Sequence, residues 1–415
     1  MEKNVMVGQS GGPTAAINSS LAGVYETAIE RGAGKVYGML NGIQGLLEGR
    51  YIDLSDHMKS GLDIELMKRT PASFLGSCRY KLPAIEGNED VYKKIFDTLG
   101  HLDVGTFIYI GGNDSMDTID KLSKYGASIK STICFVGCPK TVDNDLTHTD
   151  HTPGYGSAAK YIAISMKELI RDGFTIDLKN GMCTVVEIMG RDAGWLTGAA
   201  ALSRDEDCDG PDLIYLPELP FDVETCVNKV KELLTKKNAV VVAVSEGIRT
   251  ADGTYVCELG NTADYVDAFG HKQLTGTASY LAGFIAGELG CKTRAIEFST
   301  LQRAGSHVAS LTDSMEAEEA GAAAVRAAEA GQSGRMITFK RVSEEPYICV
   351  ADQEDVSMIA NAERTVPREW INKDGDYVTE EFLEYARPLI QGQLQPVMVN
   401  GLPKHLPVPE GLRER

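Results

Sequence analysis

The sequence predicts an α/β protein of two Rossmann-like, three-layer lobes with mostly parallel sheets and an active-site cleft between them. Three observations carry that prediction. Apolar, β-branched runs of strand length alternate with helical patterns of ten residues or more, the pattern of crossover units. The alternation starts twice, once at the N-terminus and again after Asp150. Gly-rich or polar clusters follow several strand-like runs, and that edge is where open α/β sheets bind ligands.

The elements follow in order. Residues 5–8 read as a strand, 14–31 as a helix and 35–40 as a strand. Residues 91–99 read as a helix, 106–111 as a strand, 115–125 as a helix and 131–137 as a strand. The second series opens with a helix over 157–172, apolar at 161, 162, 164, 166, 169 and 170. It continues with a strand over 183–188, a helix over 192–204 and a strand over 212–216. A helix over 223–236, a strongly β-branched strand at Ala239–Ser245, a helix over 275–289 and a strand over 294–298 complete it. Residues 314–331, rich in Ala and Glu, are helical. Residues 334–341 and 347–350 are strands, and 379–390 a helix. The end, with Pro396, Pro403, Pro407 and Pro409, reads as an extended arm.

Composition bounds the function. A chain of 415 residues can hold two ordinary domains, and 43% hydrophobic with 24% charged residues is a soluble globular balance. A formal charge of −18 argues against nucleic acid as a partner, because phosphate backbones are bound by net positive surface. A local cluster of Lys and Arg can still hold a small phosphate. The nine cysteines are scattered and include no C-x-x-C pair, so buried, reduced thiols and a cytoplasmic location are expected. The N-terminus shows no signal-peptide core. The longest apolar stretches, near 239–244 and 278–290, are too short or too Gly-interrupted to span a bilayer, so no membrane is expected.

Two stretches carry the chemistry. Gly111-Gly112-Asn113-Asp114-Ser115 follows a buried strand. The Gly pair lets backbone approach phosphates, and Ser115 can cap a helix whose N-terminus faces them. Pro139-Lys140-Thr141-Val142-Asp143-Asn144-Asp145 follows another. A lysine and two carboxylates within six residues suit phosphoryl transfer: a cation for phosphate, a base for a hydroxyl, and oxygens for Mg2+. Each residue also has a plainer reading. Asp143-Asn144-Asp145 is turn-like in composition, Lys140 could be a solvated loop lysine, and Arg79 and Glu246 could be surface residues. Gly8-Gln9-Ser10-Gly11-Gly12 alone is a strand-to-helix turn without the Lys of a P-loop.

Taken with Gly76-Ser77-Cys78-Arg79, Met189-Gly190-Arg191, Glu246 and Gln302-Arg303, these segments resemble the 6-phosphofructokinase family in order and spacing. The resemblance is to its diphosphate-dependent branch and covers about the first three hundred residues; the last hundred carry no recognisable motif. It implies transfer of phosphoryl from diphosphate to the 1-hydroxyl of fructose 6-phosphate, reversibly, with Mg2+, in a homodimer or homotetramer.

By the same resemblance, Asp143 is the general base, with Lys140 and Arg191 also catalytic. Gly11, Gly12, Arg79, Asp114 and Lys140 bind the donor. Thr141, Asp143, Asp145, Met189, Gly190, Arg191, Glu246, Arg294 and Arg303 bind the sugar phosphate, with the arginines 294 and 303 clamping its 6-phosphate through forked donors. Asn113, Asp114 and Asp145 are the metal candidates. Residues 1–148 would form the donor lobe, 149–310 the sugar-phosphate lobe and 311–415 the completion of both.

Donor choice rests on two positions. ATP-using relatives resemble glycine at 114 and 140, leaving room for the α-phosphate. Here a carboxylate and an ammonium stand there, and the carboxylate repels a nucleotide phosphate. Asn113 departs from the Asp common in the family, Met182 from an Arg, and Thr300 from His or Tyr. Three rivals stand beside this reading: the same enzyme using ATP, an NAD or lipid kinase suggested by Gly111–Ser115 alone, and a non-catalytic sugar-phosphate sensor.

Overall fold

The computed structural model describes residues 3–176, 178–260 and 274–413. The chain forms two compact units. The first comprises Met1–Ser157, Arg303–Glu363 and Gln391–Arg415; the second comprises Ala158–Gln302 and Arg364–Ile390. The chain therefore passes between units several times, residues 149–157 belong to the first, and the last hundred residues divide between both.

The first unit holds a seven-stranded sheet. Its strands are β1 (Asn4–Gln9), β2 (Val36–Met39), β3 (Tyr51–Asp53), β4 (Val104–Gly111) and β5 (Cys134–Pro139), joined later by β10 and β11 below. The second unit holds β6 (Met182–Ile188), β7 (Leu213–Tyr215), β8 (Ala239–Ser245) and β9 (Lys292–Glu297). The first sheet is completed by β10 (Arg335–Ser343) and β11 (Ile348–Asp355). Its order is β11-β10-β5-β4-β1-β2-β3, and the second sheet runs β7-β8-β6-β9. Pairing is parallel except at the β2–β3 edge and in the β10–β11 hairpin. All three pairings of the second sheet are parallel.

Strand order positions the site. From β1 the chain moves outward to β2 and β3 on one side, while β4 and β5 lie on the other. The boundary between β1 and β4 is thus a topological switch point, where the loops at the strand carboxyl ends diverge and leave a crevice. The loops after β1, β4 and β5 carry Gly11-Gly12, Asn113-Asp114 and Lys140–Asp145. In the second unit, Met189 and Glu246 directly follow the neighbouring strands β6 and β8, whose last residues Ile188 and Ser245 are in register.

Each face of the large sheet has its own apolar core. On one, β1, β4 and β5 side chains pack with the helices Ile17–Glu30 and Leu311–Glu329. On the other they pack with Glu89–His101 and Asn113–Ser128. The Ala-rich composition of Leu311–Glu329 has a packing cause. A Cβ on Gly23 would lie 2.0 Å from the Glu318 carbonyl oxygen, and one on Gly321 2.1 Å from that of Ser20. Only glycine permits the two helices to approach this closely.

Several sequence expectations need correction. The N-cap of Asn113–Ser128 is Gly112, with no side-chain cap, so Ser115 is not the cap; it is buried inside the first turn. The helix expected over 192–204 is a single turn, Trp195–Gly198, followed by a 3-10 segment, Ala199–Ser203. Its N-cap is Gly194, whose N–H donates to Glu218 at 2.7 Å. The helix expected over 379–390 stops at Ala386 because Pro388 follows, and continues as a 3-10 turn. The short helices Gly42–Leu47 and Gly61–Arg69 and the strand β3 were not foreseen. The terminal arm is anchored: Leu394 packs with Ala15 and Ala309, and Leu406 N donates to Thr70 Oγ1 at 3.0 Å. None of the nine cysteines is in a disulfide among the described residues, and seven are buried. No helix among the described residues is long and apolar enough to cross a membrane.

Candidate active site

In the first unit the loops after β1, β4 and β5 meet around Lys140. This lysine is 2% exposed, unlike a solvated loop lysine. Lys140 N donates to Gly111 O at 3.0 Å, and its Nζ donates to Gly12 O at 2.6 Å. It lies 3.3 Å from where a Cβ on Gly11 would stand, and Gly11 has φ +76°, so a side chain there would be both strained and crowding. A Cβ on Gly12 would stand 3.3 Å from the Arg303 guanidinium. Lys140 and Arg303 thus stand beside the same Gly-rich loop.

Burial lowers the Lys140 ammonium to about 8, with Arg303 pushing the same way and Asp143 and Asp145 opposing. Burial and the neighbouring Asp143 raise the Asp145 carboxyl to about 7. Glu363 adds to that rise. Thr141 is bridged to Gly154, which fixes the turn, and Asp143 N donates to Thr141 Oγ1 at 3.1 Å. Asn144, fully buried at φ 55°, accepts Thr152 N at 2.9 Å. Two carboxylates and two cations are therefore gathered at the end of β5, where phosphoryl chemistry needs them.

Asp114 lies in the first turn of its helix, 44% exposed, with the Lys81 ammonium 3.9 Å from Oδ1. Asn113 Oδ1 is buried without a hydrogen-bond partner. An orphaned carbonyl oxygen beside the Gly111-Gly112 turn is a fitting ligand for a hard cation.

In the second unit, Ser245 Oγ donates to Gly190 O, and Glu246 N donates to Ile188 O at 2.9 Å. Glu246 Oε1 accepts from Gly190 N at 3.4 Å, and Gln302 Oε1 from Met189 N at 3.3 Å. Met189, Gly190, Arg191 and Glu246 therefore form one connected edge. Arg294 is not brought to it. It is in register with Thr184, four residues before Ile188, roughly 13 Å away along the strands. Its guanidinium is paired with Asp172 at 2.6 Å.

Sequence reading missed two carboxylates. Glu187, on β6, accepts from Ala278 N at 2.9 Å, and burial raises it to about 7. Glu218 holds Gly194 N and Val366 N through one oxygen while the other is buried without a partner. Neither lies in a segment with a motif. One trio among the described residues, His151, Glu316 and Cys349, has the donor types of a metal site. Its imidazole is bracketed by Asp150 at 2.8 Å and Glu316 at 2.7 Å. Although burial opposes the charge, the two carboxylates raise it to about 9. An imidazolium donating at both nitrogens has no lone pair for a metal.

Comparison with known proteins identifies the family. The phosphofructokinase family profile matches residues 4–328. A pyrophosphate–fructose 6-phosphate 1-phosphotransferase of Halomonas elongata is 41% identical over 405 residues, covering 97% of this chain and 95% of the relative. The enzyme of the same name from Xanthomonas campestris is 39% identical over the same shares. A crystal structure of a pyrophosphate-dependent phosphofructokinase from Nitrosospira multiformis superimposes with a TM-score of 0.88 at 36% identity, over 98% of this chain and 96% of that one. With residues 4–328 matched by one profile and relatives aligned almost end to end, the chain belongs to the phosphofructokinase family.

Proposed function

We propose that this protein is a diphosphate-dependent phosphotransferase that converts fructose 6-phosphate and diphosphate to fructose 1,6-bisphosphate and phosphate. The observation that carries the donor is Lys140. It is a buried cation bound to the Gly12 carbonyl, between the loops that follow β1 and β4. An ammonium so placed fills volume beside the phosphate loop and supplies charge to diphosphate oxygens. Asp114 adds a carboxylate at the start of the neighbouring helix, unfavourable for a nucleotide's α-phosphate. The two nearest rivals differ here: an ATP kinase needs that space, and a sensor needs no base.

Asp143 takes the proton of the sugar 1-hydroxyl as its oxygen attacks phosphorus. Its N–H donates to Thr141 Oγ1 at 3.1 Å, and the same hydroxyl reaches its carboxylate at 3.4 Å. Arg79, Gly11 and Gly12 bind the donor. Met189, Gly190, Arg191 and Glu246 bind the sugar phosphate, Arg303 its 6-phosphate. Asn113, Asp114 and Asp145 are the oxygen donors that would hold Mg2+. Bound there, Mg2+ would offset charge on the diphosphate. Diphosphate is a lower-energy donor than ATP, so the reaction runs in either direction.

The direct test is a donor panel with fructose 6-phosphate. Fructose 1,6-bisphosphate and phosphate should form with diphosphate, and ATP should support little turnover. Product formation with ATP alone would reverse the donor assignment.

A further inference from the structure

Two fully buried amides, Gln9 and Asn18, bracket the Gly-rich loop, one ending β1 and the other opening the first helix. They bond each other, Gln9 Nε2 donating to Asn18 Oδ1 at 2.9 Å. Everything else they hold, apart from a contact of Gln9 Nε2 with Ile17 O at 3.4 Å, lies in the segment leading to Arg79. Asn18 Nδ2 donates to Thr70 O and Ala72 O, both at 2.7 Å, and Asn18 Oδ1 accepts from Phe74 N at 3.0 Å. Gln9 Oε1 accepts from Leu75 N at 2.9 Å. Both Asn18 bonds to carbonyls and one acceptor oxygen from each amide are therefore directed at one stretch of backbone, Thr70 to Leu75.

That stretch needs holding. Ala72 sits at φ 64°, a conformation an alanine does not adopt without external support. Further along, Ser77 Oγ donates to Gly11 O at 2.5 Å, and Gly11 N to Cys78 O at 3.5 Å. The Gly-rich loop and the Arg79 segment are thus laced together at both ends.

We propose that Asn18 and Gln9 are positioning residues for the diphosphate pocket, holding Arg79 in register with Gly11 and Gly12. The proposal rests on the donor reading of Arg79 given above. Neither amide touches a reacting group; both act through backbone carrying the arginine. Loss of either should loosen donor binding and leave acceptor binding alone.

The test is steady-state kinetics of Asn18→Ala, Arg79→Ala and the double variant, with both substrates varied. Asn18→Ala should raise KM for diphosphate about tenfold, with KM for fructose 6-phosphate changed less than about twofold. In the Arg79→Ala background the same substitution should add little, because both act on one interaction. Gln9→Met, of similar volume, should behave like Asn18→Ala and serves where that variant does not fold. Equal effects on both substrates, or full additivity with Arg79→Ala, would overturn the proposal. If Arg79→Ala raises KM for diphosphate and neither folded amide variant does, the positioning role alone fails. If Arg79→Ala leaves that KM unchanged, the donor reading of Arg79 fails and this proposal with it.

Discussion

The residue that organises the site is also one of its titrating groups. Lys140 is held at about 8 and Asp145 at about 7, both through burial first. Below about pH 7 Asp145 takes up a proton and loses its charge. Above about pH 8 Lys140 loses its proton and with it the cation for phosphate. kcat/KM for diphosphate should therefore describe a narrow bell, its acid limb near 7 and its alkaline limb near 8. A flat profile across pH 6.5–9 would remove both groups from the donor step. Asp143 is tested separately. Asp143→Ala should lower kcat by on the order of a hundredfold or more with little change in either KM, as for a lost general base. A change confined to KM would make it a binding residue.

At the scale of elements, the crossover pattern was legible because it is set by local periodicity. The strands β1, β4, β5, β6 and β8 fall where β-branched runs place them, and the loops behind them carry the residues that the motifs singled out. What was not legible depends on long-range contacts. Lys140 was legible as a cation for the donor, but its burial and its bond to the Gly12 carbonyl were not. Gln9 and Asn18 have no signal of their own, since their partners are backbone groups more than fifty residues away. Arg294 was assigned to the 6-phosphate by resemblance, yet strand register sets it beside Thr184, four residues before the end of β6.

The network around His151 was equally hidden. It joins the segment after β5 to the helix Leu311–Glu329 through Glu316 and to β10 through Arg341, which meets Asp150 at 3.0 Å. The imidazole also stacks on Phe339, ring centroids 5.0 Å apart. Its folded value of about 9 lies above the ordinary 6.5. The stabilisation is fully present below about pH 6.5 and is lost as pH rises through about 9. Melting temperature should fall over that window, and His151→Gln should flatten the fall. An unchanged slope in the variant would place the pH dependence elsewhere.

For the whole molecule, the account comes down to why this chain uses diphosphate. The family is shared with ATP-dependent enzymes, so the fold alone does not decide the donor. We assign the decision to Asp114, in the first turn of its helix, and Lys140, at the end of β5, acting together on the space of an α-phosphate. Asp114→Gly alone should admit ATP weakly, because Lys140 still fills part of the volume. Lys140→Gly alone should cripple diphosphate turnover, since the transferred charge loses its cation. The most direct measurement is the ratio of kcat/KM for ATP to that for diphosphate in wild type, both single variants and Asp114→Gly/Lys140→Gly. The account predicts a wild-type ratio well below one and a double-variant ratio above the product of the single effects. A wild type that already prefers ATP, or a double variant with the wild-type ratio, would contradict it.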